Sequence, residues 1–483
     1  MPREAENDQT TAVWGLPPAG LATRRASISV DHDTSCMSSS RSRAPSLESP
    51  RIRARSALGW SAAILREFRP TTGDVNALSL LASTGITALL GFVFWSVSTH
   101  LYAPAAVGRA AAEISAMTLL AALAKLDLAH LYPRFLPEAG IRSRRFVLLG
   151  YAGAGALGLM LAVGFVALGF GRHILSGGAT GAVIFVGAVV LWVVFGIQDA
   201  VLLGLRAAVW IPIENSTFAM AKLALLFALV GAGAAGLFLG WVIPVVAGVI
   251  VINVYLFSRL IPRHEAISAG KSRLPDRRTL GRFVAGDSLA SHTTVLTRSL
   301  LPVLVVDRLG AQAGAYFYIP WLIATTLPVM VWSVSTSFLV EAATDPGRTR
   351  ALILRSIRLA MVVLMPCAIV LFVAAPLILE VLAPGYASHA ATLLRLVAVA
   401  AVLGALSSLY TTLVRLEARR IWRLAALEIV YNLVLIGGTL LLFGPLGIEA
   451  PGVALLAAAG VSAAIVAVPT VTRWRALSQD GRS

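Results

Sequence analysis

Charged side chains interrupt the long apolar runs of this chain at few places, and those places carry the chemistry the sequence offers. Ionisable groups inside such runs are costly and mark pathways or cavities. Arg298 and Arg395 stand inside two of them. Two guanidinium groups facing one cavity would grip a phosphate or carboxylate through paired N–H donors. The competing reading lets each arginine reach the headgroup layer along its aliphatic stem. Lys222 lies about two to three helical turns into its run and serves either a cavity or the nearer interface. Asp127 and His130 share a helical face at i, i+3, with Arg134 one turn further on, which suits a proton relay or a structural polar cluster. Asp199 is a candidate to bind a coupling cation, or to pair with Lys125 or Lys222. Glu113 pairs most simply with Arg109 at i, i+4. Asp287 either caps its helix or pairs with Arg282, His292 follows in the same run, and Glu428 is within reach of a loop arginine.

Other chemistries find no foothold. No P-loop, H-E-x-x-H or G-x-S-x-G stands in a credible setting. The two cysteines, Cys36 and Cys367, make neither a metal-ligand cluster nor a disulfide framework. A non-enzyme without a cofactor is expected, with coupling to H+ or Na+ open.

The elements that hold these residues follow from composition. Of 483 residues, 57% are hydrophobic and 13% charged, against about 25% charged in soluble domains. Mean hydropathy is +0.80. The surface therefore faces lipid, where backbone polar groups must be satisfied internally and helices result. Twelve apolar segments are expected near 76–99, 106–133, 146–169, 181–204, 213–235, 238–259, 282–305, 313–339, 356–378, 388–413, 422–443 and 450–471. Basic residues fall in alternate loops: Arg142, Arg144 and Arg145, then Arg206, then Arg259 to Arg278, then Arg348 and Arg350, then Arg415 to Arg420. The intervening loops carry Arg172 and Arg308 and little else. The positive-inside rule then places both termini in the cytoplasm, and the preference for Arg over Lys, with abundant Ala, Val and Gly, suggests a GC-rich bacterial genome and so a bacterial plasma membrane. A net charge of +16 held in loops and tail points to anionic lipid and not to nucleic acid.

Residues 1–72, rich in Ser, Arg and Pro, read as a disordered basic cytoplasmic tail. Its end places Leu58, Ala62, Leu65 and Phe68 on one face, which fits an interfacial helix or a solvated linker. Two six-helix lobes, 73–260 and 282–472, flank an inter-lobe loop at 261–281, and 473–483 form a second tail. The lobes look like a parallel repeat. Val107-Gly108 opens the second span and Ala313-Gly314 the eighth; Phe135-Leu136-Pro137-Glu138 and Phe338-Leu339-Val340-Glu341 follow them. Gly150, Ala154 and Gly158 give a small-residue face for close helix contact, as do Gly236 and Gly240.

With that layout, Gly91-Phe92-Val93-Phe94-Trp95, Tyr102 to Gly108 and Arg134-Phe135-Leu136-Pro137 are similar to bacterial polysaccharide-biosynthesis flippases of the Wzx type. The chain resembles the multidrug/oligosaccharidyl-lipid/polysaccharide (MOP) exporter superfamily over about 76–472. The resemblance implies twelve helices in two lobes that alternate between inward- and outward-open states. It implies a lipid-linked glycan as substrate, attached through undecaprenyl diphosphate, with membrane lipids and polysaccharide assembly proteins as partners. A cationic cavity of Arg298, Arg395 and Lys222 would hold the diphosphate, and Asp199, Asp127 and His130 would serve ion coupling. The alternatives are a cation-coupled multidrug exporter of the same superfamily, a membrane glycosyltransferase, and a scaffold for envelope synthesis. Short external loops disfavour the glycosyltransferase.

Overall fold

A computed structural model describes the backbone of residues 89–480 except 269, 345–360, 363 and 417–420. The basic tail and the first part of the first expected span lie outside the described residues, as do the side chains of Asp287 and His292. The helices, in chain order, are α1 (Leu89–Leu101), α2 (Pro104–Ala124), α3 (Leu128–Ala139), α4 (Ser143–Ala167), α5 (Gly178–Gly204), α6 (Trp210–Ala228) and α7 (Gly233–Tyr255). They continue as α8 (Ile261–Ile267), α9 (Arg277–Leu309), α10 (Ala311–Thr344), α11 (Leu364–Val373), α12 (Ala375–Leu382), α13 (Ala387–Leu416), α14 (Ile421–Leu446) and α15 (Ala450–Asp480). Each expected apolar segment overlaps a helix. Among the described residues, six helical stretches are long and apolar enough to cross a membrane, or seven if one bent pair counts as a span. The chain is a multi-pass helical membrane protein.

Two expected helices are broken. The second span stops at Lys125, passes through Leu126 and Asp127 at φ of 45° and 57°, and resumes as α3. Neither residue is glycine, and left-handed backbone costs an L-residue about 1–2 kcal/mol. Leu126→Gly should therefore stabilise the purified protein by about 0.5 kcal/mol, after the extra freedom of glycine in the unfolded chain is subtracted. A melting curve lowered by that change would show that Leu126 is held there by its side chain. The ninth span bends by 81° between α11 and α12, where Pro376 sits in the first turn of the new helix. The expected inter-lobe loop also carries structure. It contains α8, then an extended stretch in which the Arg273 amide donates to the Glu138 carbonyl at 2.9 Å. At its end Asp276 starts α9, and the Thr279 hydroxyl donates to its carboxylate and holds that carboxyl below the usual range.

α2 is the axis of the packing. It lies against α4, α5 and α7 on one side and against α9 and α10 on the other. One buried cluster centres on α2–α7 and runs on to Val303, Ala315 and Ile319; another lies among α9, α10, α13, α14 and α15, around Phe317, Trp321 and Leu435. The small-residue face of α4 does what its spacing suggests. Gly150 leaves room for the Tyr132 ring, and Gly158 lies against Val193 and Ala124. The two halves also meet elsewhere. Ser96 and Thr99 on α1 both donate to the Leu382 carbonyl, at 3.0 and 2.7 Å. Further along the chain, the Arg134 guanidinium lies 5.3 and 5.2 Å from the ring centres of Phe135 and Phe283.

A cationic, aromatic cavity between the helix halves

Helices α1, α2, α5, α6, α7, α9 and α10 surround a cavity of about 700 Å³. Ile114, Ser115 and Thr118 line it from α2, about two to three turns beyond Gly108, where α2 crosses α10. Much of its wall is aromatic. Trp192 and Phe195 come from α5, Phe218 from α6, Trp241 from α7, Trp95 from α1, and Tyr318 and Trp321 from α10. The rings form a connected chain: Trp192 to Trp241 at 5.6 Å, Trp241 to Trp95 at 6.4 Å, and Trp95 to Tyr318 at 4.5 Å across the halves.

Two cations face this space from opposite sides. Lys222 on α6 is 3% exposed, and its Nζ lies 4.3 Å from the Trp241 ring, 5.0 Å from Phe218 and 5.3 Å from Phe94. Those rings stabilise an ammonium through their quadrupoles, by about 0.5–2 kcal/mol each in a desolvated site. Arg298 on α9 reaches the cavity from the other half, where its Nη2 donates to the Thr325 carbonyl at 2.8 Å. The Trp321 indole in turn donates to the Arg298 carbonyl at 2.9 Å. Among the described lining residues there is no carboxylate. The site is therefore arranged to receive negative charge among flat apolar faces.

Arg395 is not in this wall. It is half-buried on α13, its Nε donates to the Phe372 carbonyl of α11 at 3.2 Å, and its guanidinium stands 6.0 Å from the Phe372 ring. The structure thus brings Lys222 and Arg298 to one cavity and leaves Arg395 bracing α11 against α13. Asp127 and His130 do meet, Nδ1 to Oδ1 at 2.6 Å, with the carboxylate buried and the imidazole mostly exposed, at the start of α3 and away from the cavity lining. Asp199 attracts Lys125 and not Lys222, and accepts from Asn215 at 3.4 Å. Glu113 is fully buried and accepts from the Ser176 hydroxyl at 2.8 Å; Arg109 is exposed and acts on it only electrostatically.

No family model matches the sequence, and no curated protein matches it. Solved structures do match the fold. An inward-facing multidrug resistance MATE family transporter of the MOP superfamily aligns at a TM-score of 0.59 and 16% identity, over 81% of this chain and 95% of that one. An outward-facing MATE family transporter aligns at 0.53 and 15% identity, over 83% and 94%. A MOP superfamily transporter from Pyrococcus furiosus, described as having a binding pocket of reverse polarity that suggests a different function, aligns at 0.51 and 15%, over 83% and 95%. The chain has the fold of these transporters.

Proposed function

We propose that this protein is a flippase of the MOP superfamily. It moves an oligosaccharide or polysaccharide precursor, linked through undecaprenyl diphosphate, across the bacterial plasma membrane. Two six-helix lobes with both termini in the cytoplasm alternate between inward- and outward-open arrangements around the cavity. The observation that carries this reading is the pairing of Lys222 and Arg298, one from each half, in an aromatic cavity without a lining carboxylate. A diphosphate supplies the anion both cations lack. Sugar rings stack on indole faces, and the polyprenyl tail stays in lipid. The short loops leave no external domain for sugar-transfer chemistry, which separates this reading from a membrane glycosyltransferase. Nothing about a scaffold requires a lined cavity.

A second reading keeps the same architecture and exports organic cations. Two structural neighbours described as multidrug resistance transporters favour it, and so does the aromatic wall. The charge of the wall opposes it, since a bound cation would meet Lys222 and Arg298 without a counter-charge. The test is reconstitution in liposomes with labelled polyprenyl-diphosphate oligosaccharides, reading appearance of label in the opposite leaflet. Protein-dependent movement of the glycan lipid, with no efflux of a lipophilic cation dye, is expected. Dye efflux without glycan movement, across several glycans and ion gradients, would replace the flippase with the exporter.

A further inference from the structure

Six basic side chains are drawn together where the inter-lobe loop docks on the first half. The loop supplies Arg263 on α8, then Lys271 and Arg273; the turn from α3 into α4 supplies Arg142, Arg144 and Arg145. Three contacts close the seam between the two stretches. The Arg273 amide donates to the Glu138 carbonyl at 2.9 Å, and the Arg144 amide donates to Glu265 Oε1 of α8, also at 2.9 Å. Gly140, at φ of 54°, lies so close to the Lys271 carbonyl that any Cβ would collide with it.

Like charges gathered on one surface repel, and the seam does little to relieve this. All six side chains are exposed, and among the described residues none makes an ion pair or a side-chain hydrogen bond. Of the carboxylates in these stretches, Glu265 accepts from the Arg144 amide and Asp276 from Thr279, which leaves Glu138. Ser272 Oγ and His264 Nε2, both in the loop, are buried without a hydrogen-bond partner. The seam is short of negative charge and of polar partners.

Its surroundings turn apolar within one helical turn. Leu148 and Leu149 follow Arg144 and Arg145 on α4 at i, i+4 and are exposed, and Ala152 and Gly153 continue the same face. Gly153 has open space where a side chain would stand, so the face is shallow there. Ile141 and Ile267 are exposed beside the cations. Cations at the head of an apolar track match a phospholipid along its length, phosphate first and acyl chain after. A free phosphate would use only the head of the track, and an acidic peptide would leave its leucines bare.

We propose that this seam is a binding site for an anionic phospholipid. Its phosphate bridges Arg144 and Arg145 to Lys271 and Arg273, and its acyl chain lies along α4. While the loop is docked, only Leu274, Pro275 and Asp276 separate it from α9, about 10 Å of extended chain. A headgroup across the seam therefore braces the joint between the halves.

The test needs no glycan and touches no residue of the cavity, so it stands or falls apart from the proposed substrate. Full-length protein in dodecyl maltoside is titrated with dioleoyl-phosphatidylglycerol or dioleoyl-phosphatidylcholine, and bound lipid is counted by native mass spectrometry. Phosphatidylglycerol should bind about tenfold more tightly or better, and 50 mM inorganic phosphate should not displace it. Each cation near an anionic lipid is worth about fivefold in affinity. Lys271→Gln with Arg273→Gln should thus weaken phosphatidylglycerol by about twentyfold or more. Arg348→Gln with Arg350→Gln, an equal charge change in another basic loop, should leave it within about twofold. Gly140→Ala keeps every charge but pries the loop from the first half, and should weaken binding as well. The charge variants, at exposed positions, cover a failure of Gly140→Ala to fold. Equal losses in the two charge pairs, or unchanged binding in the Lys271 and Arg273 pair, would overturn the site. Equal binding of phosphatidylcholine, or displacement by inorganic phosphate, would overturn the anionic lipid as its ligand.

Discussion

Lys222→Met is expected to lower glycan-lipid movement in liposomes by about thirtyfold or more while raising the melting midpoint of the same protein. Both effects come from one fact. The ammonium is buried among Trp241, Phe218 and Phe94, and among the described residues it has neither an ion pair nor a hydrogen bond. Without substrate it is a desolvated charge that the rings only partly offset, and methionine fills the same channel without that cost. A gain of about 1–3 kcal/mol in stability follows from losing a buried charge that has no ion-pair partner. With an anion bound the balance reverses, because truncating one partner of a desolvated charge pair costs about 2–5 kcal/mol. Stability and transport moving in opposite directions would exclude misfolding as the cause of the loss. Arg298→Met should act in the same sense and less strongly, since Arg298 is more open to the cavity and already donates to Thr325. If both cations touch one diphosphate, the double variant will lose less than the sum of the two. Unchanged transport in both single variants at equal expression would remove them from the substrate site. Faster efflux of a lipophilic cation from Lys222→Met liposomes would favour the drug-export reading, because the repelling charge would be gone.

The helices were legible because lipid leaves the backbone one economical solution, and twenty apolar residues announce it. Lys222 and Arg298 were legible for a related reason, since a charge in such a run needs something polar to face. What spacing could not supply was rotation about each helix axis. Arg298 and Arg395 both stand inside apolar runs, yet one faces the cavity and the other Phe372. The aromatic wall was hidden because Trp, Phe and Tyr in an apolar run look like core. The available signal was Trp192 at the middle of its segment, where interface-seeking tryptophans do not belong; Trp241, four residues into its own segment, gave none. Glu214, buried on α6 where it accepts from the Gln198 amide of α5, escaped notice at the edge of its expected span, close enough to Trp210 and Arg206 to pass for a loop residue. Gln198 and Asn253 carry no charge, and only packing of α5 against α7 brings them together. The break at Leu126 and Asp127 has neither glycine nor proline to mark it.

Gly108→Val is expected to be among the most damaging single changes in the helix framework. A Cβ at position 108 would lie 1.8 Å from the Ala311 carbonyl oxygen and 2.6 Å from the Ala315 amide nitrogen. Both obstacles are backbone of α10, so no rotamer change clears them. Bringing 1.8 Å to an ordinary contact of 3.4 Å requires α2 and α10 to part by about 1.6 Å. That separation would also pull Tyr318 from Trp95 and open the wall of the cavity. Overpacking typically costs about 1–3 kcal/mol, and a clash with backbone belongs at or above the upper end. A Cβ on Gly314, from the matching dipeptide of the second half, would lie at an ordinary 3.7 Å from the Gly108 Cα, and its obstacle is the Val306 side chain, not backbone. Gly437 has open space around it. The expected order of damage is therefore Gly108→Val, then Gly108→Ala, then Gly314→Ala, with Gly437→Ala neutral or stabilising by about 0.5–1 kcal/mol. Size-exclusion profiles and melting midpoints in one detergent would read it. A monodisperse Gly108→Val protein that melts like wild type would mean that α2 and α10 do not touch there, and would remove the crossing on which the cavity between the halves depends.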